Sequence, residues 1–168
     1  MNMTHYMELL ASNQPWNLII FMAIPVILAE TIAITELYIL FTRDFSGLVR
    51  KINKWAGVII GIYFLGIFIY LFKNAVIPFT ANGEWRGIID IIAVGSYLLG
   101  VIPLFGMTLL ELGFINKKSE ESKLKTHAIF VAIFLIVTHI AMIFGMLNPE
   151  IFHPEQIKNP IQSHNMPM

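Results

Sequence analysis

The chain has 168 residues, 57% of them hydrophobic and only 13% charged, with a mean hydropathy of +0.71. Soluble domains carry about 25% charged residues, so a chain this apolar could not cover a water-facing surface, and an ordinary soluble enzyme is excluded. Eleven Lys and Arg balance eleven Asp and Glu, without the basic excess that nucleic acid requires. The lack of cysteine removes disulfides, thiolate nucleophiles, Cys-ligated zinc and iron–sulfur clusters, and leaves Met and His as the soft or borderline metal ligands.

The first residues read MNMTHYM and begin a polar and aromatic tail, free of basic charge, that ends at Trp16. A bilayer core needs about 20 mostly apolar residues per helix, and four stretches meet that length, at about 17–41, 55–79, 87–115 and 127–147. No basic residue precedes the first stretch, it is longer than the apolar part of a signal sequence, and no small-residue cleavage pattern follows, so it is expected to remain as a span. None of the four alternates like a barrel strand, and helices alone satisfy the backbone in lipid. Gly57, Gly61 and Gly66 in the second span, and Gly95, Gly100 and Gly106 in the third, allow close helix packing. After the fourth span, residues 149–168 hold Pro149, Pro154, Pro160 and Pro167 and form a flexible tail with Met and His.

The basic residues orient the chain. Arg43, Arg50, Lys51 and Lys54 in the first loop and Lys117, Lys118, Lys123 and Lys125 in the third stand against Lys73, Arg86 and Lys158 on the opposite side. This excess places the first and third loops in the cytoplasm and both termini outside. Trp16, Trp55 and Trp85 fall at span boundaries, as interfacial anchors do. The expected fold class is therefore all-α, an up-down bundle of four transmembrane helices with both termini on the outer, periplasmic side. Size and simplicity assign it to the inner membrane of a bacterium.

Ionisable residues inside a span are costly and face the bundle interior. Glu30 lies near the middle of the first span, with Glu36 closer to its cytoplasmic end. Asp90 and Glu111 stand at the two ends of the third span, and His139 lies within the fourth. Rise per residue puts Glu30 roughly 18 Å and His139 roughly 20 Å from the cytoplasmic helix ends, with Glu36 at roughly 9 Å and Glu111 at roughly 6 Å. These depths predict a central layer pairing Glu30 with His139 and an inner layer holding Glu36 and Glu111. Asp90, Tyr97, Leu104 and Glu111 recur every seven residues and form a seam of the kind buried in a bundle. Asp90 also sits in a first helical turn, where the helix dipole favours a carboxylate.

Met and His cluster at both termini. Met1, Met3, His5 and Met7 form one set, and His164, Met166 and Met168 form another, with His153 upstream. His139, Met142 and Met146 share a face of the fourth span, opening toward the same side. Thioether sulfur and imidazole together suit Cu(I). The Met-x-Met spacing at each end resembles the methionine motifs of copper transporters and periplasmic copper carriers, which implies Cu(I) as a ligand of the tails.

Other chemistries lack their residues. There is no phosphate loop, nucleotide fingerprint, kinase set or nucleophile elbow. His127 and His139 lie on the same helix, about 120° apart in direction, and could not ligate one haem together. No Glu-x-x-His pair of the di-iron kind occurs. The chain thus reads as a small permease rather than an enzyme. It is expected to handle a cation, copper first, or protons, through Glu30, His139, Glu36, Glu111, Asp90 and Tyr97. The alternative is a membrane subunit or assembly factor of a respiratory complex, associated with quinone or haem. Four helices make a thin wall for a pathway, so a homo-oligomer or a larger membrane complex is expected.

Overall fold

The computed structural model describes residues 3–115 and 119–149, and all regular structure among them is helical. A short helix α1 (His5–Ala11) precedes four long ones: α2 (Trp16–Thr42), α3 (Leu48–Asn82), α4 (Ile88–Glu111) and α5 (Glu120–Met146), all four long and apolar enough to cross a membrane. Helix α3 packs between α2 and α4, and α5 packs on α4 and returns to α2, closing an up-down ring. Ile27, Ile34, Phe41, Ile62, Ile69 and Ile136 stay exposed on the outside, a surface suited to hydrocarbon and not to water.

Two helices begin about two turns before their apolar stretches. Expected at about residue 55, α3 starts at Leu48; expected at about 127, α5 starts at Glu120. Charge marks where a helix leaves the bilayer, not where it stops. Ser119 caps α5 by accepting from the Ser122 amide, with Glu120 and Glu121 in the first turn, where the helix dipole favours acids. The N-terminal tail also contains a helix. Thr4 caps α1 by accepting from the Met7 amide, and its hydroxyl donates to the Gly145 carbonyl at 2.7 Å. That bond brings the N-terminal segment and the last turn of α5 to one end of the bundle, called here the terminal end; the other is the basic end.

Glycine and proline shape the interior. A Cβ at Gly61 would stand 1.9 Å from Thr108 Oγ1 and 2.5 Å from the Leu104 carbonyl oxygen, so α3 and α4 approach as they do only because Gly61 lacks one. Gly66, grouped with it by sequence, meets nothing within 4 Å. Near its start α2 makes a π turn, Ile19–Ala23, followed by Pro25. The Ile24 amide reaches back to the Ile19 carbonyl, and Pro25 has no N–H to give. The Ile20 and Phe21 carbonyls are thus left over. Tyr63 Oη of α3 donates to the first at 2.9 Å, and Tyr97 Oη of α4 donates to the second. Two tyrosines thereby replace backbone bonds that lipid could not. A second π turn, Phe72–Val76, precedes Pro78 in α3.

The predicted seam of α4, Asp90, Tyr97, Leu104 and Glu111, is buried throughout, and Ala93 and Met107 are buried beside it. On α2 the buried line runs through Ala29, Ile32, Glu36 and Ile39, spacings of three and four that hold one helix face.

Candidate polar network at the basic end

Each of the four long helices sends polar side chains into one buried cluster. Helix α2 contributes Glu36, next along its buried line after Ile32. Helix α3 contributes Arg50 and Asn53, which share a face with Gly57 and Gly61. Helix α4 ends on Glu111. Helix α5 contributes Glu120, Lys123 and His127, spaced by three and four. Glu36, Arg50, Asn53, Glu111 and His127 are all buried.

The bonds form a ladder from the surface inward. Glu120, with its side chain 54% exposed, accepts from Arg50 Nη2 at 3.1 Å. Arg50 also grips Glu111 with both nitrogens, at 2.8 and 3.2 Å, in the planar fork geometry that suits a carboxylate. Lys123 Nζ stands 3.0 Å from the other side of Glu111. Deeper in, His127 Nδ1 pairs with Glu36, and its Nε2 faces Glu111 Oε1 at 3.6 Å, too long for a hydrogen bond. That Nε2 is buried with no hydrogen-bond partner among the described residues. Gly57 makes room for it, since a Cβ there would lie 2.8 Å away. Asn53 donates to Thr35 Oγ1 at 2.9 Å and accepts from Arg50 Nη1 at 3.2 Å, joining the ladder to α2.

The charges nearly cancel. Arg50 and Lys123 oppose Glu36, Glu111 and Glu120, two positive against three negative. One proton held by the Glu36–His127 pair brings the cluster to zero. A buried group of ions is tolerable when its charges are paired and offset one another.

At the terminal end Asp90 is fully buried and accepts from the His5 amide at 2.7 Å, while its second oxygen lies 2.5 Å from His5 Nδ1. Arg86 donates to the Met3 carbonyl and, at 2.5 Å, to Glu8. The His5 ring packs against Phe79, tilted by 32°. These contacts fasten α1 across the bundle. Tyr6 of α1 lies against Tyr97, and burial pushes its hydroxyl up to about 12.

Sequence reasoning paired Glu30 with His139 across the interior, and the structure corrects this. Both side chains are exposed on the flank of the bundle, and no hydrogen bond joins them among the described residues. The His139 ring Nδ1–H donates instead to the Leu135 carbonyl at 2.6 Å. The reason is angular: Glu30 follows Ala29 of the buried line by one residue, a turn of about 100° that carries it off the inner face. Both residues do line one groove, together with Tyr97, Met22 and Met142. The inner layer holds Glu36 and Glu111 as expected, but His127 stands between them. His127, Arg50 and Asn53 were missed because they lie at or before the expected span starts. Continuing the helical register outward through Arg50-x-x-Asn53 and Glu120-x-x-Lys123-x-x-x-His127 would have found them.

The metal expectation gains no support here. His5 is engaged by Asp90, Met7 packs beside Gly145, and Met3 and Met146 are exposed. Among the described residues no three His, Asp or Glu side chains group to hold a metal ion. Met1, His153, His164, Met166 and Met168 lie outside the described residues.

The pattern of a "Family of unknown function (DUF6803)" matches residues 1–160, a range that takes in all five helices. The chain belongs to the DUF6803 family. No curated protein and no solved structure matches it. This DUF6803 member is a multi-pass helical membrane protein.

Proposed function

We propose that this DUF6803 protein is a small permease that handles protons, and that the transferable proton resides on the Glu36–His127 pair. The observation that carries the reading is His127 itself: a fully buried imidazole with a carboxylate at each nitrogen, one bonded and one 3.6 Å away. An imidazole so placed can accept a proton at Nε2 from the Glu111 side and release another at Nδ1 to Glu36. Arg50 and Lys123 hold Glu111 in place, and Glu120 and Lys123 connect the ladder to water. The Lys and Arg excess of the loops supports a cytoplasmic position for this end.

Beyond Glu36 the interior is apolar, filled by Ile32, Ile60, Phe64, Leu104, Met107 and Phe134. A proton leaving Glu36 therefore requires the helices to shift. The π turns before Pro25 and Pro78 are positions where regular backbone bonds have already been given up, and such turns cluster at functional sites.

The test is proton flux into proteoliposomes holding an internal pH dye, driven by an imposed potential. The wild-type chain should acidify the lumen, and Glu36→Gln, which keeps the shape of the side chain, should reduce flux to the level of empty liposomes. Equal flux from Glu36→Gln and wild type would remove the pair from the mechanism.

A further inference from the structure

We infer that the groove between α2, α4 and α5 binds the ring of a membrane-soluble quinol or quinone. This rests on a different part of the molecule from the proton-handling network and does not depend on it. The groove has a volume of about 140 Å³. An engineered protein cavity of about 150 Å³ holds one benzene, so a single six-membered ring fills this space, whereas a bare ion would leave most of it empty. Phe21, Tyr97 and Phe134 give it aromatic walls, against which a flat ring packs at offset or edge geometry.

The walls carry the hydroxyls of Tyr6, Tyr97 and Thr138 and two ionisable groups on different helices, Glu30 of α2 and His139 of α5. His139 donates through Nδ1 to the Leu135 carbonyl, which leaves Nε2 free to accept from a ring hydroxyl. Glu30 lies at the middle of the 27-residue helix Trp16–Thr42, and no hydrogen bond or ion pair engages it among the described residues. A carboxyl group at mid-membrane needs a partner, and the second ring oxygen supplies one. A ring that carries two oxygens can engage both groups, one from each helix. The groove's lining residues Glu30 and His139 are themselves exposed on the flank of the bundle, on the same two helices as the exposed Ile27, Ile136 and Ile143. A ligand dissolved in the bilayer therefore enters without crossing water, and its tail stays in lipid.

The test uses the full chain in lipid nanodiscs, titrated with a 1,4-benzoquinol bearing one isoprene unit and with the matching quinone, binding being read by saturation-transfer NMR of the ring protons. Saturable binding is expected. His139→Phe keeps a ring at an exposed position and removes Nε2, so the fold should persist by circular dichroism while affinity falls about tenfold, as the loss of one hydrogen bond implies. Val26→Phe places a ring in the groove and should abolish saturable binding. Glu36→Gln, outside the groove, should leave it unchanged. Uptake indistinguishable from protein-free nanodiscs, or equal affinity in wild type, His139→Phe and Val26→Phe, would overturn the inference.

Discussion

The basic end of the bundle and its middle dispose of their carboxylates in opposite ways. Glu36 and Glu111 are drawn inside, each met by a cation or an imidazole from a neighbouring helix. Glu30, at the most hydrophobic depth of all, lies on the flank with no protein partner among the described residues. Depth along a helix sets how costly a charge is, but the angle around the helix sets where it goes. A buried acid persists where a facing helix offers a partner, and Arg50 on α3 and His127 on α5 are such partners.

The largest effect expected from breaking this contrast is at Arg50. Arg50→Met strands Glu111 as a buried charge with Lys123 as its remaining cation, and loss of one partner of a buried ion pair costs about 3–5 kcal/mol. Thermal unfolding in detergent should show it. Adding Glu111→Met in the same chain should recover most of the loss, because an apolar pair of similar volume is often neutral or stabilising. A double variant no more stable than the single one would mean that the pair does not act as a unit.

Next comes the glycine line of α3. Gly61→Ala drives a Cβ to 1.9 Å from Thr108 Oγ1 and 2.5 Å from the Leu104 carbonyl, and overpacking of this kind costs about 1–3 kcal/mol. Gly66→Ala, which meets nothing within 4 Å, should be neutral or slightly stabilising, since alanine restricts the unfolded chain. Melting temperatures of the two variants side by side sharpen the distinction between small residues used for packing and those that are not.

The smallest effect is expected at Glu30. Glu30→Gln breaks no bond among the described residues, so stability should change by about 0.5 kcal/mol or less. A loss as large as that of Arg50→Met would place Glu30 in a buried network after all.

The four spans and their buried seam were legible in the sequence because a bilayer imposes a length and a bundle imposes a period. Asp90, Tyr97, Leu104 and Glu111 fell where the seven-residue repeat put them. Helix starts were not legible at α3 and α5, since hydropathy ends where charge begins and the helices continue for about two more turns. That misplaced end hid Arg50 among loop residues and left His127 without a role. Helix α1 escaped notice for a different reason: seven residues carry no length signal, and Thr4, His5 and Arg86 hold it through partners distant in the chain. The Glu30–His139 pairing failed because equal depth was taken for contact.

The central claim is that His127 shares a proton with Glu36 inside the bundle, and ¹⁵N NMR of the His127 ring, in the full chain in lipid bilayers, tests it most directly. The account predicts an Nδ1 resonance shifted by a strong hydrogen bond to a carboxylate, altered by Glu36→Gln and untouched by Glu30→Gln. A His127 ring that resembles a solvent-exposed imidazole, or one that ignores Glu36→Gln, would contradict it.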